Sequence, residues 1–324
     1  GTWTSRDSAG GVAGADRITR EVVIRAPTVL AAGGSLSTPL LLRRSGLTNR
    51  HIGRHLHVHP VHIVAAVWDH ATKPWEGAIL TAVVDEFENL DGEGYGVKLE
   101  ATAMLPGMFL PLFPWRSGLG FKAFAAQMGR MTGYIALARD RAGGRVDPDP
   151  VDPARPRVRY AVSAADRAHI LEGTVRLAEL LYVAGAREIV TGVPSMPIFV
   201  RPAADPRANV RVTALSAPSV TDAEFATWCA KLRATGLPSP ETPYASAHQM
   251  GSCRMGTAPD NSVVDPRGRV WGTRGVYVCD ASVFPSASGV NPMVTTMAIS
   301  RGIARGIVER AGLAGGRVAA RARL

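Results

Sequence analysis

An apolar, β-branched run at residues 275–279 (GVYVC) stops at Asp280 and gives way to the small residues Ala281 and Ser282. Such a run reads as a buried strand. It leaves a carboxylate at the strand's C-terminal end, the edge at which α/β sheets take ligands. Further on, Asn291 and Pro292 start a helix whose Ile299, Ile303 and Ile307 repeat every four residues. Asn before Pro reads as a cap followed by the first helical position. A second strand of this kind lies near the start, at residues 28–32 (TVLAA), preceded by a short β-branched strand at 22–25. Gly33 and Gly34 break it, Ser37 or Thr38 then caps a helix with Pro39 at its first position, and Gly46 ends that helix. A strand running into small residues and a helix start lets a backbone approach a cofactor and aim amide donors at it. The same residues also suit an ordinary strand-to-helix turn.

At 324 residues and 46% hydrophobic content the chain is long enough for one large or two ordinary domains. Between residues 57 and 160 the apolar segments are strand-like, including 61–68 and 78–84. Ser163 with Asp166 opens a long amphipathic helix carrying Ile170, Leu171, Leu177, Leu180 and Leu181 and ending near Gly185. Thr221 with Glu224 forms a capping box for a second helix, with Phe225 and Leu232, ended by Gly236. A sheet with long helices packed on it is the simplest arrangement. The proline-rich stretches 147–156 and 191–206 read as loops within a domain.

Several function classes drop out. No run approaches the roughly 18 uncharged apolar residues of a transmembrane span, and the first residues lack the pattern of a signal peptide. A soluble, cytoplasmic protein is expected, with peripheral membrane contact left open. The three cysteines are an odd number without CxxC spacing, so neither a disulfide framework nor a zinc finger is expected. The net charge of +10 owes much to the last 24 residues, from Arg301, with six Arg against one Glu; they read as a frayed, solvated end. The remaining charge is spread widely with few aromatics between, so no nucleic-acid partner is expected. GSLST and SCRMG lack the spacing of a serine-hydrolase elbow.

Chemistry is carried by fewer residues. His248 lies in YASAHQMGSCRMG, a segment with no regular period, and reads either as a catalytic imidazole or as a histidine bonded within a loop. Six of the eight histidines fall between His51 and His70, and His55, His57 and His59 alternate. In an extended strand those three would share a face, as metal ligands must, which opens a metal-enzyme alternative. Against it, Pro60 and the preceding GRHL suggest a loop. The uncharged run 104–115 (MLPGMFLPLFPW) has three prolines and cannot be a regular helix. It lines an apolar tunnel or is simply core.

Four ordered blocks together resemble the glucose-methanol-choline (GMC) oxidoreductases. They are AAGGSLSTPLLLRRSGL at 31–47, GRHLHVHP at 53–60, HQMGSCRMG from His248, and the strand ending in Asp280 followed by SGVNPM. LHVHP, SAHQMGSCRMG and LYVAGARE are most similar to the long-chain alcohol oxidases of that family. The resemblance implies an α/β FAD-binding domain interrupted by an α+β, sheet-and-helix substrate domain, with residues 1–56 and 241–324 in the first and 57–240 in the second. It implies FAD as cofactor, a small-molecule alcohol as substrate and no catalytic metal. His248 matches the proton acceptor and Asn291 the second active-site position, though a plain helix cap remains open for Asn291. Ala32, Gly33, Asp280 and Ala281 match positions close to the cofactor. Asn291, Pro292 and Met293 would put a helix N-terminus toward the flavin's pyrimidine edge, where the dipole stabilises negative charge.

A flavin enzyme of this kind opens with GxGxxG after its first strand, cradling the pyrophosphate. DGEGYG near Gly92 and GGVAG near Gly10 sit in polar, turn-like segments without a following helix. On this resemblance Gly1 falls inside the flavin domain, and a missing N-terminal segment or a partner chain supplies the adenosine end of the site. The 324 residues alone are then expected to hold FAD weakly or not at all and to oxidise no alcohol. A purified sample that is yellow and active without a partner would contradict this.

Overall fold

The computed structural model describes residues 1–76, 78–202 and 222–312. The chain opens with an exposed hairpin of β1 (Thr2–Thr4) and β2 (Thr19–Glu21), followed by β3 (Val29–Ala31), helix α1 (Gly34–Arg44), β4 (Arg54–Leu56) and β5 (Val61–Val67). The middle carries β6 (Val83–Val84), β7 (Val97–Ala101), the short helix α2 (Pro106–Phe109), α3 (Gly118–Ala126) and β8 (Met131–Ala138). A hairpin of β9 (Gly144–Pro148) and β10 (Pro156–Arg159) precedes the long helix α4 (Ala164–Val183). Then come β11 (Glu188–Thr191), β12 (Phe199–Val200), α5 (Ala223–Thr235), β13 (Val276–Val278) and α6 (Met293–Arg310). Among the described residues no helix is long and apolar enough to cross a membrane.

The largest sheet has six strands in the order β12-β11-β5-β8-β7-β6, and its pairs are antiparallel. Central β5 (VHIVAAV) is buried at every position, as its continuous apolar run requires. On one face, Val64, Ala66, Leu99 and Ala136 pack against Ile170, Leu177 and Leu181 of α4, and α5 adds Phe225, Trp228 and Leu232. On the other, Ile63, Ala65, Val67 and Met131 are covered by Met104, Phe109, Phe113 and Phe124. The run 104–115 therefore contributes core, while its Leu105, Met108 and Trp115 stay exposed. Ser163 caps α4, its Oγ accepting from Asp166 N–H at 3.0 Å and donating to the Asp166 carboxylate at 2.6 Å. The α5 cap is Asp222, which accepts from the N–H groups of Glu224 and Phe225. Thr221, the expected cap, lies outside the described residues.

The strands expected to end in ligand-side turns are neighbours. β3 and β13 run in parallel, Val29 beside Val276 and Ala31 beside Val278, so their C-terminal ends lie together. Ile303 of α6 is buried against this pair, with Ile299 and Ile307 partly buried. Parallel strands are ordinarily covered on both faces. Here Val29 and Leu30 are half-exposed, and Met293, Val294 and Met297 lie open on α6.

Local expectations differ in five places. α1 starts at Gly34 with Gly33 at its N-cap, so Ser37 and Thr38 are not caps and Pro39 lies inside the helix. Pro39 has no N–H for the carbonyl of Ser35 one turn back. That carbonyl accepts instead from Ser252 Oγ at 2.6 Å, which replaces the hydrogen bond the helix loses there. Residues 22–25 are not a strand, because pairing with β1 ends where Val22 N–H meets the Gly1 carbonyl. Of 78–84 only Val83 and Val84 pair, against Glu100 and Leu99, since β7 ends at Ala101. Residues 301–310 are the last turns of α6 rather than a frayed end, 191–206 contains β12, and residues 203–206 and 313–324 lie outside those described.

α4 rides close to the sheet at Gly173, where a β-carbon would sit 2.6 Å from Val97 Cγ2 and 3.1 Å from the Ala136 β-carbon. Gly173→Val is expected to lower the thermal unfolding midpoint, at a cost of about 1–3 kcal/mol for overpacking. Melting followed by circular dichroism checks this, and an unchanged midpoint would contradict the close approach.

Candidate active site

Residues 245–250 form an arch pinned at both feet to the segment after β4. Ala245 and Val61 exchange backbone hydrogen bonds of 3.1 and 2.9 Å, and Met250 and His57 exchange bonds of 2.8 and 2.9 Å. Inside the arch, Ser246 Oγ donates to the Val58 carbonyl and accepts from the His248 N–H at 3.1 Å. His248 is thereby held half-buried, its ring edge-on to that of His59, with centroids 5.3 Å apart and the two Nδ1 atoms at 3.3 Å.

His59 is fully buried, with a left-handed backbone (φ 49°) that a histidine adopts only when its surroundings impose it. Asp140 imposes it. Its Oδ1 accepts from His59 N–H at 3.1 Å, while Oδ2 accepts from Val58 N–H at 3.1 Å and Tyr160 Oη at 2.9 Å and faces His57 Nδ1 at 3.3 Å. Burial works against the charge on Asp140, but these bonds outweigh it and hold the carboxyl below the usual range. Burial acts oppositely on the imidazoles. It pushes His59 down to about 4 against the upward pull of Asp140, and lowers His248 as well. Both rings are neutral near pH 7.

On the far side of His59, its Nε2 accepts from the Gly289 N–H at 3.1 Å, which ties in the loop carrying Asn291. Asn291 is not a cap. α6 begins at Met293 with Pro292 at its N-cap and no side-chain cap, while Asn291 Nδ2 donates to Glu100 Oε2 at 3.2 Å. Glu100 is 1% exposed, and its Oε1 has no partner. Burial pushes its carboxyl up, against the Asn291 amide and the charge of Lys98. A cavity of about 300 Å³ lies beside the same loop, lined in part by Lys98, Leu137, Arg139, Gly289 and Val290. Among the described residues no hydrogen bond joins His248 directly to Asn291; His59 and Gly289 connect them.

The positions expected near the cofactor gather at the ends of β3 and β13. Asp280 is buried, and its carboxylate is largely used within the chain: Oδ2 accepts from Gly34 N–H at 2.9 Å and Thr38 Oγ1 at 2.5 Å, Oδ1 from Ser282 N–H at 2.8 Å. The Ala281 carbonyl accepts from Gly251 N–H at 3.1 Å. Asp280 thus staples the end of β13 to the first turn of α1. Ala32 and Gly33 are exposed beside it. Gly34 has φ 77° and open space where a β-carbon would be, while its N–H is taken by Asp280 and that of Gly33 by Thr38 Oγ1 at 3.0 Å. Asp280 thus caps the first N–H of α1 from across the turn, whereas the N-cap of α6, Pro292, makes no side-chain cap bond. The exposed backbone of Ala32 and Gly33 and the start of α6 are where this chain would meet a flavin dinucleotide.

The alternating histidines do not share a face. Positive φ at His55 and His59 breaks the extended geometry the alternation assumed. His55 meets His51 at 3.1 Å, His57 meets Asp140 and His59 meets His248. No group of three or more potential metal ligands forms among the described residues. In the sequence His59 belonged both to that alternation and to the GRHLHVHP block that resembles the family's loop. Asp140 and Glu100 had no motif; a charged residue beside a strand-like apolar run was their only signal.

A GMC oxidoreductase family model matches residues 140–300, and a second of the same description matches residues 5–61. Two long-chain-alcohol oxidases of Arabidopsis thaliana are each 33% identical to the chain, one over 89% of this chain and 38% of its own length, the other over 86% and 36%. The chain therefore spans less than two fifths of these relatives. A formate oxidase of Aspergillus oryzae superposes with a TM-score of 0.58 at 17% identity, covering 87% of this chain and 54% of that one, and shows the shared fold.

Burial pushes His55, His59 and His62 down to about 4 from an ordinary 6.5. In that window the unfolded chain binds protons that the folded chain refuses, so stability is full above it and lost as pH falls through it. The thermal midpoint is expected to drop from about pH 7 to about pH 4.5, less steeply in His62→Gln, as scanning fluorimetry would show. A flat profile would contradict the buried neutral rings.

Proposed function

The chain belongs to the GMC oxidoreductase family, and from that premise we propose that it carries the alcohol-binding and proton-accepting part of an FAD-dependent oxidoreductase acting on long-chain primary alcohols. The observation that carries this reading is the neutral, half-buried His248, held by its arch against His59 and joined through Gly289 to the loop of Asn291. We divide the chain accordingly: residues 1–56 and 241–324 belong to the flavin side, 57–240 to the substrate side.

Oxidising R–CH2–OH to R–CHO breaks the O–H bond and one C–H bond at the same carbon and forms the second C–O bond. FAD, held by the residues at the ends of β3 and β13, would supply the hydride acceptor. His248 takes the hydroxyl proton; its Nδ1 faces His59, which leaves Nε2 as the nitrogen that meets the alcohol. Asn291 steadies the developing alkoxide through its amide, an uncharged donor, with Glu100 holding one of its N–H bonds. Ala32, Gly33 and the first turn of α1 would meet the dinucleotide through backbone. Asp280 and Ala281 hold that turn in place, and Pro292 and Met293 at the start of α6 would stabilise negative charge on the reduced ring.

Two surfaces support the reading. The exposed apolar residues Leu105, Met108, Trp115 and Leu119 lie next to the core beneath α2 and α3, and suit an alkyl chain. The open apolar faces of β3 and α6 suit the remainder of a flavin-binding sheet, from elsewhere in the same polypeptide or a partner.

In a full-length, flavin-loaded version, His248→Ala is expected to lower kcat for a long-chain alcohol by about 10²–10⁴-fold. Turnover at the parent rate would remove His248 from the chemistry.

A further inference from the structure

The proton positions along the Gly289, His59 and His248 series follow from geometry. The Gly289 N–H points at His59 Nε2, 3.1 Å away, so that nitrogen carries a lone pair. His59 is fully buried and neutral, so its one ring proton sits on Nδ1. That atom faces His248 Nδ1 at 3.3 Å, and a single proton fits between them. His248 Nδ1 is then the acceptor, and the neutral ring of His248 carries its own proton on Nε2.

We infer that His59 is a positioning residue that sets the tautomer of His248 and, in this state, keeps the proton on the nitrogen that must receive one. The inference rests on the reading of His248 as the proton acceptor. Proton acceptance at Nε2 requires His248 to hold its proton on Nδ1 and donate to His59 Nδ1, with the His59 proton moved to Nε2. The Gly289 N–H blocks that nitrogen. No proton is gained or lost in the exchange; one hydrogen bond is given up and the direction of another reversed. Gly289 lies two residues before Asn291, whose amide is bonded to Glu100. The loop shift that frees His59 therefore moves the residue proposed to steady the alkoxide. Base competence and Asn291 placement are coupled through one loop, and the contact between Gly289 and His59 is the latch.

The left-handed backbone of His59 makes the test selective. Asn tolerates that conformation and places an N–H donor where Nδ1 lies, whereas Leu removes both features. Histidine-selective ¹⁵N spectra distinguish ring nitrogens that bear a proton from those that do not, with His248→Gln and His59→Asn giving the assignments. Near pH 7, in the absence of alcohol, the wild-type chain is expected to show the proton on Nε2 of His248 and on Nδ1 of His59. His59→Asn is expected to keep His248 as this single tautomer, and His59→Leu to yield a mixture of both. A wild-type spectrum with the His248 proton on Nδ1 would overturn the inference, and so would an unchanged single tautomer in His59→Leu. The wild-type spectrum decides the matter alone if the Leu variant does not fold. The spectra need no turnover, so a full-length, flavin-loaded wild type that oxidises no alcohol would strike the functional reading while the tautomer assignment is judged separately.

Discussion

The buried carboxylate of Asp140 is the interaction on which the candidate site depends. It gathers the backbone N–H groups of Val58 and His59, the Tyr160 hydroxyl and the His57 ring around two oxygens. Holding a non-glycine residue in the left-handed region costs on the order of 1–3 kcal/mol. A hydrogen bond to a charged group contributes about 1.5–3 kcal/mol, so two or three of them offset that strain. The turn they enforce points His59 inward. The same segment supplies both feet of the arch that carries His248, and His59 receives the Gly289 N–H from the other side. Three stretches distant in sequence are thus registered against one another by one ionised group.

On the cofactor side the division of labour is different. Asp280 spends its oxygens on the scaffold, taking the Gly34 N–H and the Thr38 hydroxyl to join β13 to α1, and beside it Ala32 and Gly33 are exposed. A turn fixed in this way is pre-organised in a way that mobile side chains are not. Family membership and the fold shared with a formate oxidase give this geometry its context. The substrate assignment rests on likeness to long-chain-alcohol oxidases, of which the chain spans less than two fifths.

Much of this was legible in the sequence because the signals were local. The runs TVLAA and GVYVC, each followed by small residues, contain β3 and β13, and the Ser163 and Asp166 pair marked the start of α4. Tertiary contacts were less legible. Pro39 lies inside α1, and Ser252, far along the chain, takes the carbonyl it leaves free. Asn291 before Pro292 carried the local pattern of a cap, and it is the distant Glu100 that draws the amide away. The alternating histidines suggested one face of a strand, and two residues of positive φ sent their rings to three different partners. Each of these depends on groups more than 80 positions away or on a backbone state that residue type alone does not specify.

The central claim is that these residues assemble an alcohol-oxidising flavin site, and flavin reduction tests it most directly. The chain together with the segment or partner that completes its flavin site, loaded with FAD and mixed without oxygen with a long-chain primary alcohol, is expected to lose the absorbance of oxidised flavin, more slowly when the alcohol carries deuterium at its first carbon. Flavin that stays oxidised in the presence of saturating alcohol would contradict the account.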